Sequence, residues 1–188
     1  ENIEMYFLYI LLSFICILAL CAIIYSLVHF LVTGNTPSIS ASKEIIKELS
    51  EKLNLYDDEL FYDLGCGNGN LIFGLSKNFP QTNFIGVENS ITQYLFAKFK
   101  LFLSKTKRKK VSIKFENFFK TDLSKADHVY IWIYTRDTSI LKEKFEKELK
   151  KGCYVYSLDF PIPEVPVYKT VELNKARRFG HTLFTYKY

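Results

Sequence analysis

From Met5 to Val32 the chain carries no Asp, Glu, Lys or Arg, and beyond that point the pattern of apolar positions changes completely. A helix of that length extends roughly 40 Å at about 1.5 Å per residue, ample for a tilted membrane crossing. Thr33-Gly34-Asn35-Thr36-Pro37-Ser38 follows as a stretch of turn formers. Then Ile45, Ile46, Leu49 and Leu53 recur at helical spacing behind Ser40 and Ser42, with Lys and Glu between them, which predicts a helix broken by Asp57 and Asp58. After it, short apolar runs alternate with helical periodicity. Strands are predicted at 60–64, 83–87, 111–115, 127–133 and 153–158. Helices are predicted at 69–78, at 90–104, and from Asp137 onward, where Leu141, Phe145 and Leu149 stack four apart. This order implies an α/β fold with a doubly wound, mostly parallel sheet and right-handed crossovers. Runs 166–173 and 180–187, joined by Asn174 to Phe179, read as a closing antiparallel hairpin. The expected organisation is a transmembrane helix in residues 1–32 (span about 5–32), a linker at 33–42 and a domain at 43–188.

Charge sharpens the first element. The net charge of +5 arises entirely after residue 40. Glu1 and Glu4 precede the apolar run, while Lys43, Lys47 and Lys52 follow it, so the domain is expected to face the cytoplasm, or the matrix in a mitochondrion. A signal peptide fits less well: the apolar core exceeds the usual roughly 7 to 15 residues, no basic stretch precedes it and no small-x-small cleavage site stands out. His29, near the end of the run, reads as an interfacial polar residue. Cys16, Cys21, Cys66 and Cys153 show no zinc or disulfide spacing, so no metal is expected and a reducing compartment fits. The basic run Lys105-Thr106-Lys107-Arg108-Lys109-Lys110 reads as facing anionic lipid or solvent, and no nucleic-acid partner is expected.

The chemistry centres on Asp63-Leu64-Gly65-Cys66-Gly67-Asn68-Gly69-Asn70, an acid and three alternating glycines where a strand turns into a helix. Glycine reaches positive φ cheaply and lets a ligand lie on the backbone, and the next helix offers unpaired N–H groups. A dinucleotide fingerprint would place its third glycine at Asn70, and a carboxylate so close repels a pyrophosphate and favours a cationic ligand. The loop resembles that of the class I S-adenosylmethionine-dependent methyltransferases, with their seven-stranded Rossmann-like sheet. That resemblance implies S-adenosylmethionine held by Asp63, Gly65, Gly67 and Gly69. In an open parallel sheet the ligand lies beyond the strands' carboxyl ends. There Glu88, followed by Asn89, can accept hydrogen bonds from both ribose hydroxyls. Asn117 can recognise the adenine amino group and Phe118 can pack on its ring. Tyr134, after the fourth strand, is a candidate substrate contact, and Asp159, after the fifth, is expected to orient the acceptor. His128 opens one strand and His181 begins another at the opposite end of the fold, so neither is expected as a base.

A closer resemblance spans nearly the whole chain. The apolar N-terminal segment, Thr36-Pro37-Ser38, the glycine loop, Asn117-Phe118-Phe119-Lys120 with Asp122-Leu123, and Phe160-Pro161-Ile162-Pro163 look like the small membrane-anchored protein-lysine methyltransferases of the adenine nucleotide translocase and ATP synthase c-subunit type. It departs from them at Cys66, Asn68 and Phe119. The resemblance implies methyl transfer to lysine ε-amines of a membrane-associated protein. Two alternatives stay open: a lipid or quinone methyltransferase, whose apolar tunnel Phe160, Val165 and Val167 could line, and a non-catalytic cofactor-binding scaffold. The fourth strand lacks the Asp/Asn-Pro-Pro-Tyr signature of enzymes that methylate base amino groups and planar amides, which disfavours DNA and glutamine.

Overall fold

The structure, a computed structural model, describes residues 2–33, 40–104, 110–174 and 179–188. It divides into two compact units, Glu1–Ile39 and Ser40–Tyr188. Most of the expected linker, residues 34–39, and most of the basic run, residues 105–109, lie outside the described residues, as does the greater part of the predicted hairpin connection, residues 175–178.

The first unit is one helix, α1 (Asn2–Thr33), whose side chains from Glu4 to Tyr25 are all exposed. By length and composition Glu4–Tyr25 is long and apolar enough to cross a membrane.

The second unit follows the predicted alternation: α2 (Lys43–Lys52), β1 (Leu60–Leu64), α3 (Asn70–Asn78), β2 (Asn83–Glu88), α4 (Ile91–Leu103), β3 (Val111–Phe115), β4 (His128–Ile131), α5 (Thr135–Glu148), β5 (Tyr154–Leu158), β6 (Lys169–Glu172) and β7 (Thr182–Lys187). The seven strands lie in the order β3-β2-β1-β4-β5-β7-β6. Pairings from β3 to β5 are parallel, and β7 runs antiparallel to both neighbours. The closing pair is therefore not simply appended at the edge: its second strand inserts between β5 and β6. Strand order reverses between β1 and β4, which places the crevice at the carboxyl ends of these two strands.

Both sheet faces are covered, which is why β1 reads as a continuous apolar run rather than an alternating one. Phe61 joins a core with Ile45 and Leu49 of α2, Ile72 and Leu75 of α3 and Ala97 of α4. Tyr62 and Leu64 join the opposite core with Leu141 and Phe145 of α5. Ser42 caps α2 by accepting from the Ile45 amide at 3.3 Å. Helix α5 starts two residues before Asp137, with Tyr134 at its N-cap, and β4 correspondingly stops at Ile131.

Gly86, opposite Asp63 in the β1–β2 register, is where the glycine loop and α3 settle on the sheet. A Cβ there would lie 2.7 Å from Cys66 Sγ, 2.9 Å from Ile72 Cδ1 and 3.0 Å from Ile113 Cδ1. Gly86→Ala is expected to destabilise the domain by about 1–3 kcal/mol through overpacking. A thermal melt of the variant tests this, and an unchanged midpoint would contradict it.

Candidate cofactor and methyl-transfer site

The glycine loop adopts the conformation its composition allows. Gly65, Gly67 and Gly69 have φ of 83°, 53° and 77°, all left-handed. The amides of Gly65 and Cys66 both donate to the Val87 carbonyl, at 2.9 and 3.0 Å, tying the loop to β2. At Gly69, the N-cap of α3, a Cβ would fall 2.7 Å from the Phe73 ring, so a side chain there would displace that ring as well as strain the left-handed backbone. Gly69 has no side chain to cap α3; Asn68 Oδ1 accepts from the Asn70 amide at 3.3 Å, and the next amides of the first turn face the loop side as candidate donors to a ligand.

Two carboxylates flank this loop, and they differ. Glu88 is buried, and each of its oxygens meets one backbone donor: Oε2 accepts from the Gly67 amide at 2.7 Å and Oε1 from the Ser90 amide at 2.8 Å. Each oxygen keeps one acceptor position, enough for a pair of hydroxyls. Asp63 is equally buried, yet no described residue donates a hydrogen bond to its carboxylate. Burial, and secondarily the charge of Glu88, push its carboxyl up to about 8. A buried acid beside a second acid is stabilised in its charged form by a cationic neighbour. That is the chemical character of a ligand with an ammonium and a sulfonium, so the residues present fit S-adenosylmethionine.

Asn89 follows β2 at the surface. Asn117 is exposed after β3, where its Oδ1 accepts from the Phe119 amide at 3.0 Å and closes a turn. Phe118 is half-buried, its ring 4.5 Å from that of Phe119 and packed on the α5-side core. The Glu116 amide donates to the Glu88 carbonyl at 3.0 Å, so the ends of β2 and β3 converge on the same crevice.

At the ends of β4 and β5, Tyr134 is 40% exposed with its ring 5.1 Å from that of Phe160. Asp159 departs from the sequence reading. Its Oδ2 accepts from the Gly180 amide at 2.7 Å and from Trp132 Nε1 at 3.2 Å, and its Oδ1 from the amides of His181 at 2.6 Å and Thr182 at 3.3 Å. Four donors fill the four acceptor positions of a carboxylate. Asp159, itself at φ 63°, thus braces the turn into β7 rather than presenting a free oxygen to a substrate. His181 is likewise corrected. Because β7 runs antiparallel to β5, its first residues lie at the carboxyl end of β5, so His181 belongs to the end of the fold that carries the site. His128 does sit at the other end, buried, with Nε2 2.8 Å from Glu59 Oε2 and Nδ1 3.2 Å from the Tyr156 hydroxyl. Of the residues expected to line a lipid tunnel, Phe160 meets Tyr134, Val165 packs into the α5-side core and Val167 is exposed.

Sequence reasoning missed Tyr130. It pairs with Asp63 across β1–β4, is buried, and its hydroxyl has no hydrogen-bond partner among the described residues. Burial first, then the charges of Asp63 and Asp159, push its phenol well above the usual value, so it stays protonated. Cys66 in the loop is pushed up by burial and by the same two acids, Asp63 and Glu88, which keeps it a thiol and no nucleophile. Also unforeseen was a polar brace on the outside of the loop. Asn70 Nδ2 donates to Ser40 Oγ at 2.7 Å, and Lys100 Nζ donates to Asn70 Oδ1 at 2.8 Å.

Comparison with known proteins agrees with this geometry. A curated protein-lysine N-methyltransferase of Saccharolobus islandicus is 29% identical over 156 residues, covering 81% of this chain and 93% of its own. Phosphoethanolamine N-methyltransferase 1 of Zea mays is 32% identical over 124 residues, but the match covers only 24% of that longer protein. Among solved structures, an RNA methyltransferase from Salinibacter ruber in complex with S-adenosyl-L-homocysteine superposes with a TM-score of 0.71 over 79% of this chain and 93% of its own, at 19% identity, a likeness of fold. The ANTKMT methyltransferase domain matches residues 63–169, from the acid of the glycine loop to the first residue of β6, and the chain belongs to that methyltransferase family.

Proposed function

We propose that this S-adenosylmethionine-dependent methyltransferase modifies lysine ε-amines of an integral membrane protein, and that α1 anchors it in the same bilayer. The observation that carries the cofactor assignment is the buried Asp63 carboxylate without a donor, beside Glu88 and above three left-handed glycines. Asp63 faces the cationic end of the cofactor, and Gly65, Gly67 and Gly69 let it lie against the backbone. Glu88 accepts the ribose hydroxyls with Asn89 alongside, and Asn117 and Phe118 border the adenine. When bound, S-adenosylmethionine supplies an electrophilic methyl group.

The protein's own contribution is alignment. A lysine amine has a pKa near 10.4, so deprotonating it at pH 7 costs roughly 4–5 kcal/mol. Desolvation against aromatic rings and a neighbouring positive charge both lower that cost. Tyr134 and Phe160 offer apolar ring surface against which the arriving amine is desolvated. Asp159 acts as a positioning residue that fixes Trp132 and the 180–182 turn. Proximity then supplies most of the rate. The acids Glu1 and Glu4 before the apolar run and the lysines after it support a catalytic unit on the cytoplasmic or matrix side.

Membranes containing the enzyme, incubated with S-adenosylmethionine carrying a labelled methyl group, are expected to accumulate label as methyl-lysine in an integral protein. Label in the lipid extract would replace this reading with that of a lipid methyltransferase. No label in either fraction would indicate a scaffold.

A further inference from the structure

Helix α4 is apolar on the side that should be wet. Of its thirteen residues only Ala97 is buried, with Tyr94 and Leu101 half-buried against the core. Leu95, Phe96, Phe99, Phe102 and Leu103 are 57%, 62%, 58%, 84% and 57% exposed. At 3.6 residues per turn these five fall within roughly 120° of arc, centred on Phe99, with Lys98 and Lys100 on opposite flanks. The stripe offers apolar surface on the order of 500 Å², at the upper end of what a lone soluble domain leaves uncovered.

The surroundings of the stripe indicate what covers it. Leu103 and Lys100 also line a groove of about 800 Å³ between α2, α3 and α4, whose lining includes Lys43, Lys47 and Lys77. Directly after α4 the sequence runs Lys105-Thr106-Lys107-Arg108-Lys109-Lys110. An apolar stripe flanked by Lys98 and Lys100, with Lys43, Lys47 and Lys77 in the adjoining groove, complements an anionic bilayer, whose acyl boundary takes the rings while lysine stems reach up to the phosphates. A partner protein would have to present a matching apolar ridge inside a ring of acids. The chain also supplies its own reason to be near lipid, since α1 is long and apolar enough to span a bilayer.

We propose that α4 is an interfacial helix through which the catalytic unit lies on an anionic membrane surface, with Leu95, Phe96, Phe99, Phe102 and Leu103 entering the acyl boundary. Lys100, bonded to Asn70 and to the Asn68 carbonyl at 3.4 Å, joins this docking helix directly to the glycine loop. The contact is independent of which group accepts the methyl.

The test uses the full chain carrying Cys16→Ala and Cys21→Ala, with the buried Cys66 and Cys153 retained. It is reconstituted in nanodiscs of phosphatidylcholine with about one third phosphatidylserine. A bimane label on Phe99→Cys, or separately on Phe102→Cys, is expected to be quenched several-fold more by doxyl-lipid than by aqueous iodide. A label on Glu143→Cys, exposed on α5, should show the reverse. Circular dichroism melts matching the parent establish that the labelled chains fold. Iodide quenching at positions 99 and 102 equal to that at 143 would overturn the proposal. So would protection from both quenchers, which would assign the face to a protein contact or a second copy.

Discussion

Asp63→Asn is expected to raise the stability of the ligand-free protein while abolishing its use as a cofactor binder. The carboxyl ionises at 3.8 ordinarily and at about 8 in the fold, chiefly through burial. Between those values the folded protein holds a proton that the unfolded chain has released. Stability therefore falls as pH rises, by up to about 1.4 kcal/mol per unit, and the full penalty is in place above pH 8. Asparagine is nearly isosteric and carries no such proton. The advantage of the variant should be small near pH 4 and largest at pH 8, where several kcal/mol would raise Tm at roughly 2–4 °C per kcal/mol for a domain of this size. Cofactor affinity should move the other way. Removing the charge that meets the cation is expected to cost at least about 3 kcal/mol, a hundredfold or more. In the parent protein, affinity for S-adenosylmethionine should rise from pH 6 to pH 8 as Asp63 becomes easier to ionise. Scanning calorimetry across pH and titration calorimetry with S-adenosylmethionine check both arms. A Tm lower than the parent's at pH 8, or unchanged affinity, would sink the assignment.

Glu88→Gln is expected to lose cofactor affinity and stability together, in contrast to Asp63→Asn. Both oxygens of Glu88 accept backbone N–H groups, from Gly67 and Ser90. A glutamine has one oxygen and one amide nitrogen, so whichever way it turns a donor faces a donor. The cost is a charge-assisted hydrogen bond plus a buried unsatisfied group, about 2–4 kcal/mol. The glycine loop then loses its anchor at Gly67, and the ribose loses a carboxylate. Loss of the Glu88 charge should also lower the pKa of Asp63 toward its ordinary value. Equal melting temperatures for Glu88→Gln and the parent would show that the loop is held by other means.

The contrast between these acids was not legible in the sequence. Both were readable as cofactor ligands, because each ends a predicted strand at the crevice side. Which of them is satisfied by backbone and which lacks a donor depends on the register of β1 against β2 and on the path of the loop across Val87. Tyr130 is a similar case: it comes beside Asp63 only because β4, far along the chain, pairs directly with β1. Asp159 and His181 show the cost of placing residues strand by strand. Their environment is set by β7 inserting antiparallel beside β5, a long-range choice that leaves no trace in local periodicity.

Local physics was sufficient for much else. The apolar run of α1, the alternation of strands and helices from α2 to β5, the two closing strands and the acid-glycine loop follow from side-chain period, capping residues and the steric freedom of glycine. Each is decided within a few neighbouring residues, so the sequence alone determines it. Tertiary structure decided what those elements do to one another. It buried Asp63 beside Glu88, filled every acceptor position of Asp159, and left five apolar side chains of α4 facing outward. Burial, charge coupling and exposure are properties of the assembled sheet and its helices, and they come into being only when strands distant in the chain pair and close the core.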